Sequence, residues 1–230
     1  VDGPVTARLC LDDPGAGADL DLFAARAAAM DAGALVRVRG TGTGVTVWAL
    51  LPYGVLIGRG VAARLVGADD VTVAAAELSA SMTELPPDAS GRALPPDASG
   101  SAAAGQVVDL PQSRDAQWRG SLPGGSFVRL DEVPSEVLRQ LATAGRRAFD
   151  ELRRQPGTPA GSQVAGEALL DSEVLRVSGE AGAVGVPLKL VNALHRMRFL
   201  GAGPVRVAMN PGWLRLAATY GAAHVRRTPL

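Results

Sequence analysis

Apolar positions in this chain follow two periods, and the same succession of periods occurs twice. Leu20 to Ala32 carries apolar residues at helical spacing and leads into Val36-Arg37-Val38, where the period drops to two. A Gly/Thr turn follows, then an apolar run closing on Tyr53-Gly54. Near the other end, Leu188 to Leu200 leads into Val205-Arg206-Val207, the turn Asn210-Pro211-Gly212, and an apolar run closing on Tyr220-Gly221. Arg59 and Arg226 follow the two Tyr-Gly pairs at similar distances. Duplication of one helix-plus-hairpin unit is the economical explanation.

Around these copies the pattern predicts further elements. Thr6 to Leu11 reads as a strand and Asp12 to Ala18, rich in Gly with Pro14, as a loop. Asp19 is then placed to cap the first helix. Leu35–Arg39, Val45–Leu51, Val55–Arg59 and Val71–Leu78 read as strands. In the second half Phe127–Leu130 reads as a strand. Pro134 sits at the first turn of a helix to Arg154, with Val137, Leu138, Leu141, Ala148, Phe149 and Leu152 as its apolar stripe. Gly145, on the same face, lets a neighbour approach closely. A helical turn near Leu169-Leu170 and a strand Glu173–Val177 lead into the second copy, whose strands are Pro204–Met209, Trp213–Thr219 and Ala222–Arg227. The fold class is therefore α+β, two related helix-plus-antiparallel-sheet units with short connections. Trp48, Trp118, Trp213 and Phe149 are the expected bulky core residues.

LPPDASG at Leu85–Gly91 is repeated at Leu94–Gly100, and a Ser/Ala/Gly stretch follows to Gly105. Pro-Pro pairs sit badly in helices and central strands, so residues 84–105 read as a linker between an N-terminal unit, 1–83, and a C-terminal unit, 106–230.

Net formal charge is zero over 230 residues, so no global field favours nucleic acid or a membrane surface. The charge is unevenly placed. Asp2, Asp12, Asp13, Asp19, Asp21 and Asp31 outnumber Arg8 and Arg26 before Leu35, whereas Val186–Leu230 holds no acid against Lys189, Arg196, Arg198, Arg206, Arg215, Arg226 and Arg227. The lone Cys10 makes no internal disulfide and alternates with apolar neighbours as a small buried residue. Val45–Ile57 is too short to span a bilayer, so the expected compartment is the cytoplasm, with no membrane partner.

Candidate chemistry is sparse. Gly58-Arg59-Gly60-Val61-Ala62-Ala63 matches the dinucleotide pattern G-x-G-x-x-A, with Glu77 near the place of the ribose acid. A dinucleotide-binding oxidoreductase is one reading. Against it, Ala62–Val66 is too short for a crossover helix, and the second copy reads Ala222–Arg227 there without glycines. Gly40, Gly42 and Gly44 read as a hairpin turn. Asp12, Asp13, Asp19 and Asp21 lack the spacing of a calcium loop, and no Cys/His grouping has metal spacing. His195 borders the apolar side of its helix, as a core or interface histidine does, and Tyr53 and Tyr220 occupy equivalent corners. No catalytic residue, cofactor or metal is expected.

The acid-free C-terminal copy remains. Lys189, Asn192 and Arg196 share one helical face, and Arg206 and Arg215 lie on the hairpin that follows. Such a unit reads as an interaction surface for a protein partner or a second copy, its basic side facing the acidic N-terminal unit within or between chains. Nucleic-acid binding by the same helix and hairpin, in the manner of a winged helix, is the alternative. Arg146, Arg147, Arg153 and Arg154 are less telling, because Asp150 and Glu151 stand four residues from three of them and predict a self-paired solvated face.

FVRLDEVP (Phe127–Pro134), LLDSEVLRV (Leu169–Val177), MRFL (Met197–Leu200), WLRL (Trp213–Leu216) and Tyr220-Gly221 resemble a family of uncharacterised proteins from high-GC bacteria. The resemblance covers the C-terminal half. It implies a soluble bacterial protein and assigns no activity, cofactor or site residue.

Overall fold

The computed structural model describes residues 7–83, 106–154, 159–180 and 182–227, so the expected linker at 84–105 lies outside the described residues. Contacts divide the chain into two units, residues 1–50 with 58–120, and residues 51–57 with 121–230. The sequence reading counts 106–120 with the C-terminal unit, whereas the contacts group them with the first.

The first unit opens with β1 (Arg8–Leu11) and α1 (Pro14–Met30). The helix starts earlier than the glycines predict. Asp13, not Asp19, is the N-cap, accepting the Ala16 amide at 2.8 Å, and Pro14 takes a first-turn position where no N–H is needed. Leu20, Phe23, Ala24 and Ala27 form its buried stripe. Then come β2 (Leu35–Thr41), β3 (Gly44–Leu51), β4 (Val55–Val61, its residues 55–57 counted with the second unit), β5 (Ala63–Val66), β6 (Asp70–Ala74), α2 (Ala75–Thr83) and β7 (Gln106–Asp109). The expected strand Val71–Leu78 is a strand only to Ala74. From there Ala75-Ala76-Glu77-Leu78 turns into α2, Ala being the best helix former. The small face of α1 packs against α2, and the Ser79 hydroxyl donates to Asp21 at 2.6 Å. Strand order is β6-β2-β3-β4 in one layer and β5-β1-β7 in another, with β1 antiparallel to both neighbours. Gly40, Gly42 and Gly44 lie at the β2–β3 hairpin, as predicted.

The second unit contains β8 (Val128–Val133), α3 (Ser135–Arg154), α4 (Pro159–Asp171), β9 (Glu173–Gly179), β10 (Gly182–Pro187), α5 (Leu188–Arg196), β11 (Val205–Asn210), β12 (Trp213–Ala218) and β13 (Gly221–Arg226). Strand order is β13-β12-β11-β8, with β10-β9 as a separate hairpin. Where a single helical turn was expected there is a full helix, α4, because Pro159 is tolerated at a helix start. Strand β10 went unread because its glycines weaken the alternation. The α3 stripe is rotated from prediction: Leu138, Ala142 and Gly145 are buried, while Val137 is 36% exposed. At Gly145 a Cβ would come within 2.7 Å of the Leu188 side chain, so the glycine does permit the close approach of α5. Helix α5 stops before the predicted Leu200, because Arg198 adopts φ 53° and the Phe199 amide returns to the Leu194 carbonyl at 2.9 Å.

The two copies α1-β2-β3-β4 and α5-β11-β12-β13 keep one element order. Val36 and Val38 in one, Val205 and Val207 in the other, are fully buried, each pair flanking an arginine on the opposite face. Tyr53 and Tyr220 are both exposed at turns, and Tyr53 holds φ 66°. Of the four aromatics expected in the core only Trp213 is buried. Trp48, Trp118 and Phe149 are half-buried.

Candidate interaction surface

The fully buried face of the β11–β12 pair carries Val205, Val207, Leu214 and Leu216. The β11–β12 register pairs Arg206 with Ala217 and Ala208 with Arg215, placing both arginines on the opposite face. The five residues singled out from the sequence therefore do not form one patch. Lys189, Asn192 and Arg196 belong to α5, Arg206 and Arg215 to the far face of the sheet. Lys189 is tied to Asp171 at 2.6 Å with its side chain 17% exposed, and Asn192 is half-buried. Arg196 and Arg206 are exposed.

The expected pairing along α3 is also absent. Among the described residues no ion pair joins Asp150 or Glu151 to Arg146, Arg147 or Arg154; α3 makes only Arg139–Glu136, at 3.3 Å. Arg146 instead reaches across to α5, its guanidinium 3.4 Å from His195 Nε2. Burial, then Arg146, Arg139 and Arg198, hold the His195 imidazole below its ordinary pKa, which reports the cationic surroundings of this helix pair.

On the sheet face, Arg215 lies with its guanidinium 4.3 Å over the Phe127 ring, and among the described residues its Nε is buried without an acceptor. Burial and then Arg206 push its pKa down. His224, directly opposite Arg215 on β13, is 2% exposed and packed edge-on against Phe127 and Trp213. Burial drives its pKa to about 4, against a raising contact with the Leu56 carbonyl, so it is neutral at physiological pH. The sequence offered His224 only as one of two histidines, without a role, although its strand position gave its facing. An open cavity of about 330 Å³ lies nearby, lined in part by Asp171, Glu173, Lys189, Leu214 and Arg226. Its charges are largely satisfied, Lys189 by Asp171 and Glu173 by Arg176.

The dinucleotide reading fails on geometry. Gly58 and Gly60 lie inside β4, and the residues beyond form β5 rather than a helix whose N-terminus faces a phosphate. Gly58 is required for another reason: a Cβ there would sit 2.6 Å from the Trp48 ring. Glu77, the presumptive ribose acid, is in α2 and pairs with Arg114 at 2.9 Å. Cys10 is buried, as its alternation implied. Among the described residues no three His, Cys, Asp or Glu side chains group as metal ligands, and no helix is long and apolar enough to cross a membrane.

Two families of unknown function match the chain: DUF8010 over residues 5–105 and DUF8185 over residues 122–230. No curated protein matches. Among solved structures, the chain is similar to the DNA polymerase sliding clamp of Caulobacter crescentus, with TM-score 0.55 and 14% identity over 96% of this chain and 65% of that one. The DNA polymerase III subunit beta of Pseudomonas aeruginosa gives TM-score 0.55 and 14% identity over 97% and 65%, and the sliding clamp of Bacillus subtilis 0.53 and 10% over 98% and 66%. The chain thus spans just under two thirds of the clamp chains it matches. At these identities the likeness establishes the fold, an α+β architecture like that of sliding clamps, carried here by two domains of unknown function.

Proposed function

We propose that this protein is a non-enzymatic interaction module, a clamp-like scaffold that engages protein partners, a second copy among them, through the basic surfaces of its second unit. The observation that carries the reading is the set of arginines on that unit, Arg146, Arg147, Arg196, Arg198 and Arg206, that among the described residues lie in no carboxylate ion pair. Charges left this way contribute little to folding and orient association instead. The exposed acids of the first unit, Asp12 and Asp69 among them, are complementary to these arginines in a second copy. The clamp-like fold over 96% of the chain supports a scaffold rather than an active-site cleft.

Sedimentation velocity at low and high salt tests this. Association that weakens as salt rises is expected. A monomer at every ionic strength, with no protein retained on an immobilised column of the chain at low salt, would overturn it.

A second reading, nucleic-acid contact by the α3–α5 face, draws on Arg146, Arg147, Arg196 and Arg198, which among the described residues make no carboxylate ion pair, and on the likeness to DNA polymerase sliding clamps. A gel shift with mixed-sequence DNA and RNA, steeply salt-dependent and lost on Arg196→Glu, would favour it.

A further inference from the structure

We infer that Arg206 and Arg215, with the Phe127 ring beneath, form a docking site for a short acidic peptide segment of a partner protein. The β11–β12 register makes the two arginines diagonal neighbours on one sheet face, a relation that sets such residues roughly 7–8 Å apart. Like charges so placed repel, and nothing on the same face neutralises both. Glu132 stands opposite Arg206 on β8, yet its ion pair is with Arg129 at 3.2 Å. His224, opposite Arg215, is neutral and supplies no counter-charge.

Arg215 is the more constrained of the two. Its guanidinium carbon lies 4.3 Å from the centre of the Phe127 ring, a cation–π contact that holds the group on this face of the sheet. Among the described residues its Nε is buried without an acceptor, a cost that an incoming oxygen relieves. A carboxylate meets that geometry, since two oxygens accept from the fork of a guanidinium. Arg206, exposed beside it, takes a second carboxylate or shares the first. Glu132, opposite Arg206, stands beside the pair on this face, while Asp131, opposite Val207, belongs to the other; a neighbouring acid suits the site to a segment with a few carboxylates rather than an extended polyphosphate backbone.

The site rests on the interaction-module reading but falls separately from it. Fluorescence anisotropy of a fluorescein-labelled ten-residue Gly/Ser peptide carrying two adjacent glutamates, titrated with the whole chain at low salt, is the test. A labelled single-stranded DNA and inorganic phosphate serve as comparison probes. Peptide binding is expected to weaken about tenfold or more on Arg206→Glu, the difference of one charge-assisted contact. It should weaken less on Arg215→Lys, which keeps the charge and loses the fork, and stay within about twofold on Arg196→Glu, which lies on α5. Arg206 is exposed, so its variant folds even if substitution at Arg215 does not. No peptide binding by the wild type, binding indifferent to Arg206→Glu, or DNA bound more tightly than peptide through the same arginines would each overturn the site. Salt-sensitive association that survives Arg206→Glu would leave the interaction module standing without it.

Discussion

Ion pairs serve different purposes in the two units. In the first they join separate elements: Arg37 on β2 grips Asp70 on β6 through two hydrogen bonds of 2.8 and 2.7 Å, Arg59 on β4 meets Asp19 on α1, and Arg114 meets Glu77 on α2. In the second, three of the pairs are local, Arg129–Glu132, Arg139–Glu136 and Arg176–Glu173, each within one turn or strand. Local pairs of this exposed kind contribute little, whereas a bidentate pair between strands fixes register as well as charge. In one copy of the repeat Arg37, Arg39 and Arg59 are in carboxylate ion pairs, whereas in the other, among the described residues, Arg196, Arg198 and Arg206 are in none. Arg37 and Arg206 make the contrast sharpest, since they occupy the same place in Val-Arg-Val.

The largest expected effect distinguishes the units by pH. Both histidines lie in the second unit. The folded pKa of His224 is about 4, below an unfolded value of about 6.5. Its contribution to stability is therefore present above the unfolded pKa and is lost as pH falls from there toward the folded one. Between pH 7 and pH 5 the unfolding free energy should drop by about 2 kcal/mol from this group. Urea melts at both pH values, wild type against His224→Gln, measure it; an equal drop in the variant removes His224 as the cause.

Asp70→Ala comes next. It strips Arg37 of both hydrogen bonds and Arg39 of its 3.9 Å contact, for an expected loss of about 2 kcal/mol in chemical denaturation. Unchanged stability would erase the contrast between the units. Asp13→Ala removes the cap of α1 and should cost about 1 kcal/mol, read from the same melts. Smallest is Glu173→Ala in the second unit, whose partner Arg176 is 66% exposed; a shift beyond about 0.5 kcal/mol would show that its local pair is structural after all.

Much of this fold was legible in the pattern. The repeat was read from Val36-Arg37-Val38 and Val205-Arg206-Val207 because period-two burial is imprinted on residue type: the four valines are buried whatever surrounds them. Glycine and proline misled where their use depends on context. Pro14 begins a helix instead of a loop, and Gly58 makes room for Trp48 instead of a phosphate. The arginine surface was half legible. Composition named Arg206 and Arg215, but their common face with Phe127 and His224 follows from strand register, which no local spacing encodes.

By itself, the sequence determined the α+β class, the repeated helix-plus-hairpin order and the absence of acids beyond Val186, because periodicity and charge are properties of neighbours in the chain. Only the tertiary structure decided which charges are spent. Lys189 is held by Asp171, eighteen positions before it, and Arg37 by Asp70 on another strand, while Arg206, alike in local sequence to Arg37, makes no carboxylate ion pair among the described residues, Glu132 opposite it being paired with Arg129. The reason is physical: an ion pair acts over a few ångströms, and which groups come within that distance is set by the pairing of strands and helices far apart in the chain.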